Sequence, residues 1–404
     1  MSFRPISTWR SAKEFCTWSS LSNMAVFECP SISSFAHWRR TARNVRSASS
    51  FLGQVRMGTL GARAVRGAGG LVIAQDPQTA QFGDMPRSAV ATGLVDFVLS
   101  PNRMPEALLT YPWHPYVRGG EPEAVLEGTG KPGGLQDILS LVMTQRGRDF
   151  RFYKKSMVLR RVERRMGLHR ISDVARYYDL LRQDTDEVTQ LFKDLLINVT
   201  SFFRDTEAFK DLRQKAIAPL VRSKQADEPL RIWIAGCSSG EEAYSLAMLM
   251  MEEITEVRKN CPMQVFATDI DEEALEFARQ GIYPESIAVD VGPERLSRFF
   301  IREDQGYQVS KSLRKSVVFT VQNLITDPPF SKMDLISCRN LLIYLDTDTQ
   351  QKLIPLFTFA LNPGGYLFLG KSEGIGGLGR RSHWTGRNIL FYPSKEKGGI
   401  TMPD

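Results

Sequence analysis

Residues Arg231 to Met251, RIWIAGCSSGEEAYSLAMLMM, constrain the fold more than any other stretch of this chain. An apolar segment (Ile232, Trp233, Ile234, Ala235) enters a glycine-bearing turn, Gly236-Cys-Ser-Ser-Gly240. Two acids follow, then a helix-like apolar run of Ala243, Leu246, Ala247, Leu249 and Met250. That is strand, tight turn and helix. In an open α/β sheet the carboxyl end of such a strand is where a nucleotide-like ligand sits. Glycines there let backbone approach the ligand closely.

The second half of the chain repeats the alternation. Gln264 to Asp269 is an apolar strand ending in an acid, a position suited to holding ribose hydroxyls. VVFTVQNLI (317–325) is a third strand with Asn323 near its end. MDLISCRNLLIY (333–344) opens with a fourth, and Arg339 and Asn340 close it. TQQKLIPLFTFALNPGG reads as a helix stopped by Pro363 and two glycines; YLFLG (366–370) and Arg387–Tyr392 are further strands. The expected fold class is α/β, a Rossmann-like, mostly parallel sheet flanked by helices. Gly236, Asp269, Asn323, Arg339 and Asn340 all fall at strand carboxyl ends.

The turn also carries information about ligand charge. Dinucleotide sites show G-x-G-x-x-G and seat a pyrophosphate on a helix N-terminus. Here the turn is G-x-x-x-G, followed by Glu241 and Glu242. Two acids would repel a phosphate and would suit a cation. S-adenosylmethionine carries a sulfonium, an ammonium and no phosphate, so the signs favour it. One of the two acids can instead pair with the helix dipole.

Upstream the composition changes several times. Residues 1–50 are rich in Ser and Arg, show no period, and are expected to be disordered. Residues 118–134, RGGEPEAVLEGTGKPGG, read as a linker. From Leu135 the pattern is helical, with Leu135, Ile138, Leu139, Val142 and Met143 on one face. Residues 146–170 hold ten Lys or Arg and two acids. Met157, Val158, Val162 and Met166 are expected to face a core, leaving Lys154, Lys155, Arg160, Arg161, Arg164 and Arg165 outward. That face is either solvated or a docking surface for an acidic partner. Aromatic residues are sparse in it, which disfavours nucleic acid. In the polar turn NVTSFFRD (198–205), Thr200 or Ser201 is placed to cap a helix. Arg204 either pairs at the surface or clamps a carboxylate through two N–H donors.

Several classes are excluded. The five cysteines are odd in number, widely spaced and lack a CxxC, and the four histidines do not cluster. A disulfide framework or zinc site is not expected, and a reducing cytoplasm fits best. No apolar run approaches the ~20 residues that span a bilayer. No metal is expected.

Two resemblances sharpen this reading. GARAVRGAGGLVIAQDPQTAQFGDMPRSAVATGLVDFVL resembles the C-terminal part of the chemotaxis receptor methylesterase domain (CheB family). Leu60 stands where that family has its catalytic Asp, and no stretch of residues 1–50 matches the nucleophile or base. An inactive remnant over 51–117 is expected. From Leu135 to Tyr392 the chain resembles the chemotaxis receptor methyltransferase family (CheR). The carriers are RRVERRM, NVTSFFRD, GCSSGEEAYSLAM, ATDIDEEALEFARQGIY, VQNL, DLISCRNLLIYLD and LNPGGYLFLGKSE, in the family's order. The pair resembles a fusion of the two activities that keeps the methyltransferase.

The second resemblance implies a helical receptor-docking domain over 135–205 and a methyltransferase domain over 206–396, with a small β insertion at 282–316 and a tail at 397–404. It implies S-adenosylmethionine-dependent methylation of chemoreceptor glutamates to methyl esters. Cofactor contacts fall on Asn198, Thr200, Arg204, Glu241, Asp269, Asn323, Leu324, Asn340 and Leu341, beside the strand-end Gly236 and Arg339. Arg204 is then a clamp on the methionine carboxylate. The implied partner is an acidic cytoplasmic helix of a chemoreceptor, met by a monomer without membrane insertion. No side chain is assigned an acid–base role, because the substrate carboxylate is the nucleophile. The alternative is a cofactor-binding adaptor without turnover. A nucleic-acid methyltransferase needs an N/D-P-P-Y element, which Asp327-Pro-Pro-Phe330 only approximates.

Overall fold

The computed structural model describes residues 20–21, 24–28, 47–51, 62, 65–66, 70–91, 93–104, 107, 133–196, 199–303, 306–373 and 388–390. They group into two units, Met1–Val125 with Glu163–Val174, and Leu126–Val162 with Ala175–Asp404.

The first unit holds a five-stranded sheet in chain order: β1 Ser20–Leu21, β2 Met24–Glu28, β3 Ser47–Phe51, β4 Leu71–Gln75 and β5 Phe97–Leu99. Strands β1 to β3 lie almost wholly in residues where the sequence showed no period and disorder was expected. Strands β2 to β5 pair in parallel. Leu71, Ile73 and Met104 form a small core against which Leu168 packs. At the edge of that core Asp96 accepts a hydrogen bond from the Val72 amide at 2.8 Å. The same carboxylate pairs with the guanidinium groups of Arg66 and Arg164. Leu60, at the place of the esterase acid, lies outside the described residues.

The second unit begins with helices. Leu135–Arg146 buries Leu135, Ile138, Leu139 and Val142 and closes at Gly147, whose positive φ of 67° suits a residue without Cβ. Met143, expected on the buried face, is exposed. The helices Val174–Gln183 and Thr185–Leu196 follow, tied by a buried hydrogen bond from the Tyr177 hydroxyl to Glu187 at 2.7 Å.

The α/β part is a six-stranded sheet. Its strands are β6 Leu230–Ala235, β7 Met263–Asp269, β11 Val317–Val321, β12 Met333–Cys338, β13 Leu361–Leu369 and β14 Asn388–Leu390. The spatial order is β11-β7-β6-β12-β13-β14, and every neighbouring pair is parallel. Alternate residues of β6 supply two cores. Leu230, Ile232 and Ile234 join one cluster, and Trp233 and Ala235 join the other. The period of two along a strand dictates that split. Asn362-Pro-Gly-Gly365, expected to stop a helix, lies inside β13; the helix Thr347–Ala360 ends just before it. The β12–β13 register shifts beside this stretch, between Met333 and Leu335, so β13 begins earlier than the apolar pattern indicated.

The segment between β7 and β11 holds the small insertion. Strands β8 Ile282–Tyr283, β9 Phe300–Glu303 and β10 Gly306–Val309 form an antiparallel sheet ordered β8-β10-β9. Strands β9 and β10 are antiparallel neighbours, and Asp304 and Gln305 between them lie outside the described residues. Among the described residues no helix is long and apolar enough to cross a membrane.

Candidate cofactor cleft

Strand order fixes where a ligand can go. From β6 the chain moves outward to β7 and β11, then returns to place β12 on the other side of β6. The order reverses between β6 and β12, and a crevice opens at such a switch point, above the strand carboxyl ends. A cleft is found there, with about 1050 Å³ of empty space including its open mouth. Gly236, Ser238, Asp269, Gln322, Asn323, Leu324, Arg339, Asn340 and Leu341 line it from the sheet side. Thr200 and Arg204 line it from the connecting turn, and Arg148, Asp149 and Tyr153 from the helical segment.

The Gly236–Gly240 turn is built to admit something close. Gly236 has φ +79°, and a Cβ there would meet Leu341 Cδ2 at 2.8 Å. Gly240 has φ +91°, and a Cβ there would meet Ala278 Cβ at 2.7 Å. Positive φ and lack of room together require glycine at both positions. The Ser238 amide donates to Asp269 Oδ2 at 2.7 Å, and the Asp271 amide to Oδ1 at 3.0 Å. These bonds orient the carboxylate at the cleft wall. Burial nonetheless pushes the Asp269 carboxyl above its usual range.

The two acids after the turn separate. Successive helix residues point about 100° apart, which sends the two carboxylates to different partners. Glu242 is the one that lines the cleft. Its carboxylate accepts from the Ser337 hydroxyl at 2.6 Å and from Arg339 at 3.3 Å. Glu241, expected to contact the cofactor, is buried, does not line the cleft, and accepts from the Ser239 hydroxyl at 2.7 Å. The sequence pointed to Glu241, whereas of the two acids it is Glu242 that lines the cleft.

Arg339 lines the cleft, yet its guanidinium is largely engaged. It donates to Glu242, to Asp205 at 3.1 Å and to the Arg204 carbonyl at 3.0 Å. It also lies over the rings of Phe209 and Phe368. Its geometry is that of a buried brace between two acids. Arg204 donates to the Val199 carbonyl at 2.8 Å and lines the cleft beside Thr200. Neither Thr200 nor Ser201 caps the following helix; Asp205 occupies that position. Asn323 holds its own turn, its Oδ1 accepting from the Ile325 amide at 3.0 Å. Asn198 lies outside the described residues.

Sequence reasoning missed Arg148, Asp149, Tyr153 and Gln322. The first three come from the loop after the Leu135–Arg146 helix. That loop is joined to the one after β12 by the Tyr153–Leu345 bridge and by the Lys154 amide donating to the Tyr344 carbonyl at 2.8 Å. No local period marks so distant a pairing. Tyr344, from the turn after β12, also lines the cleft.

The basic segment departs from expectation. Arg161 and Arg164 are buried, and Arg164 pairs with Asp96. The counter-charge lies in the methylesterase-like stretch, where helical periodicity could not reveal it. Lys154 spends its ammonium on the Ile343 carbonyl at 2.7 Å. Lys155 and Arg160 are exposed and Arg165 partly so. Asp327-Pro-Pro-Phe330 is structural: Asp327 accepts from the Asn323 amide and Phe330 stacks on Phe266 at 4.8 Å.

Two orphan acceptors test the cleft against a cationic cofactor. Asn340 Oδ1 and Gln322 Oε1 are buried without a hydrogen-bond partner among the described residues. Buried acceptors left unpaired cost free energy, so such atoms mark where a donor is meant to arrive. With Asp269 and Glu242 alongside, the wall suits amines, hydroxyls and a sulfonium. The residues fit S-adenosylmethionine, and the fold and cleft together define an S-adenosylmethionine-dependent methyltransferase.

Comparison with known proteins narrows that class. Residues 198–386 match the S-adenosylmethionine-binding domain of CheR methyltransferases, and residues 134–196 match the all-alpha domain of the same family. Residues 49–108 match the CheB methylesterase domain. The chain is 33% identical over 251 residues to the chemotaxis protein methyltransferase of Borreliella burgdorferi, covering 60% of this chain and 88% of that one. It is 34% identical over 263 residues to that of Escherichia coli, covering 62% and 88%. It is also 39% identical over 340 residues to an uncharacterized 104.1 kDa protein of Rhodobacter capsulatus, covering 79% of this chain and only 35% of that protein. The chain belongs to the CheR chemotaxis methyltransferase family.

Proposed function

We propose that this chain methylates glutamate side chains on the cytoplasmic helices of chemoreceptors, forming γ-glutamyl methyl esters. The observation that carries the proposal is the composition of the cleft wall. It offers Asp269, Glu242 and the unpaired Asn340 Oδ1 to a cationic ligand, and Arg204 to a carboxylate. Among its described lining residues there is no histidine. The nearby thiols of Cys237 and Cys338 are pushed well up by burial and stay protonated.

Bound there, S-adenosylmethionine supplies a methyl group on a positively charged sulfur. A glutamate carboxylate, with pKa ~4.3, is already an anion at neutral pH and needs no base. The work left to the chain is to orient the reactants and exclude water. Asp269 is placed for ribose hydroxyls, Asn340 for an ammonium and Arg204 for a carboxylate. Gly236, Thr200, Leu324 and Leu341 shape the wall. Arg339 acts through Glu242 and Asp205, which it holds in place. Lys155 and Arg160, exposed on the basic helix, are proposed to meet the acidic receptor surface.

The test is transfer of labelled methyl from S-adenosylmethionine to receptor fragments. A methyl ester releases its label in base; label that resists base counts against carboxylate methylation.

A further inference from the structure

Gln322 is absorbed by none of the roles above. It sits just past the end of β11, is buried, and lines the cofactor cleft. Its amide nitrogen donates to the Pro328 carbonyl at 2.8 Å. That bond fixes which way the carboxamide faces, because the reverse orientation would set oxygen against oxygen. Its Oε1 is therefore held as an acceptor, and it is buried with no partner among the described residues. Asn340 Oδ1, at the end of β12, is the matching orphan. In the order β11-β7-β6-β12 the two strands are three spacings apart. At ~4.8 Å per spacing that is ~14 Å, comparable to an extended adenosyl amino acid with an amine at each end.

The geometry points to Gln322 as a specificity-determining residue that reads the exocyclic amine of the cofactor's purine, opposite Asn340 at the amino-acid end. This rests on the cofactor assignment above and adds base discrimination to it. A 6-oxo purine would bring an acceptor against the fixed Oε1. A site built around a donor rejects the analogue that lacks it far more strongly than an apolar pocket rejects a size change.

The experiment is calorimetric binding of S-adenosylhomocysteine and S-inosylhomocysteine to the full chain. Wild type should prefer the adenosyl form by roughly tenfold or more. In Gln322→Met, of similar volume, the preference should shrink to about twofold, mainly by weaker adenosyl binding. Should that variant fail to fold, the wild type alone decides, with the N6,N6-dimethyladenosyl analogue as a second ligand lacking the N–H. Equal wild-type binding of adenosyl and inosyl forms would overturn the role of Gln322 while leaving the cofactor assignment standing. Failure of wild type to bind either would overturn the cofactor assignment and the Gln322 role with it.

Discussion

Each side chain in the cleft answers to a different physical constraint, and substitutions should separate them. Glu242→Ala should weaken cofactor binding, whereas Glu241→Ala should change melting temperature more than affinity, since Glu241 is turned to Ser239. Equal loss of affinity in both would return Glu241 to the site. Arg339→Ala should cost about 1–3 kcal/mol in denaturant unfolding, because it leaves the part-buried carboxylates of Glu242 and Asp205 without their shared guanidinium. Asp269 carries a pH prediction. Burial raises its folded-state pKa, so its stabilising contribution is full below the unfolded pKa and is lost as pH rises through the raised value. Cofactor binding wants the carboxylate, so affinity should climb as pH rises through that same window. Asp269→Asn should flatten the climb in titrations carried upward from the ordinary carboxylate range. The strand-end residues were legible because their position follows from strand periodicity alone. Which of Glu241 and Glu242 lines the cleft was not legible, because sequence shows two adjacent acids but not which way a helix turns them.

At the scale of elements, the parallel strands were legible because each is an apolar run closed by glycine or a polar residue. The bounds of β13 were not, since Asn362-Pro-Gly-Gly365 reads locally as a helix stop while pairing with β12 draws it into the sheet. The Gly236 turn is the element most sensitive to a single carbon. Gly236→Ala adds a Cβ at positive φ, 2.8 Å from Leu341. It should cost about 1–3 kcal/mol of stability and shift Leu341 into the cleft, seen as weaker cofactor binding by calorimetry. The basic helix divides in two. Its buried Arg164 belongs with Asp96, a pairing that no reading of the helix alone could find. Lys155→Glu with Arg160→Glu should leave cofactor affinity unchanged and reduce methyl transfer to receptor, most strongly at low salt. Unchanged transfer would move the docking surface elsewhere.

At the scale of the molecule, the chain combines a helical segment and a switch-point sheet that share one cleft, and it also carries a methylesterase-like stretch with its own sheet. The cleft balances Asp149, Glu242 and Asp269 against Arg148, Arg204 and Arg339, and the acids at the strand ends, where a nucleotide site would need bare amide donors, tie fold to cofactor. The proposed glutamate acceptor rests on the chemistry left over: a site for a cationic methyl donor whose described lining holds no histidine. The most direct measurement of that claim is methyl transfer from labelled S-adenosylmethionine to chemoreceptor fragments at neutral pH, with Asp269→Ala alongside. The account predicts label on the receptor that is released in base, and a loss of tenfold or more in the variant from weakened cofactor binding. Base-stable label, or tight cofactor binding with no transfer to any receptor fragment, would contradict it.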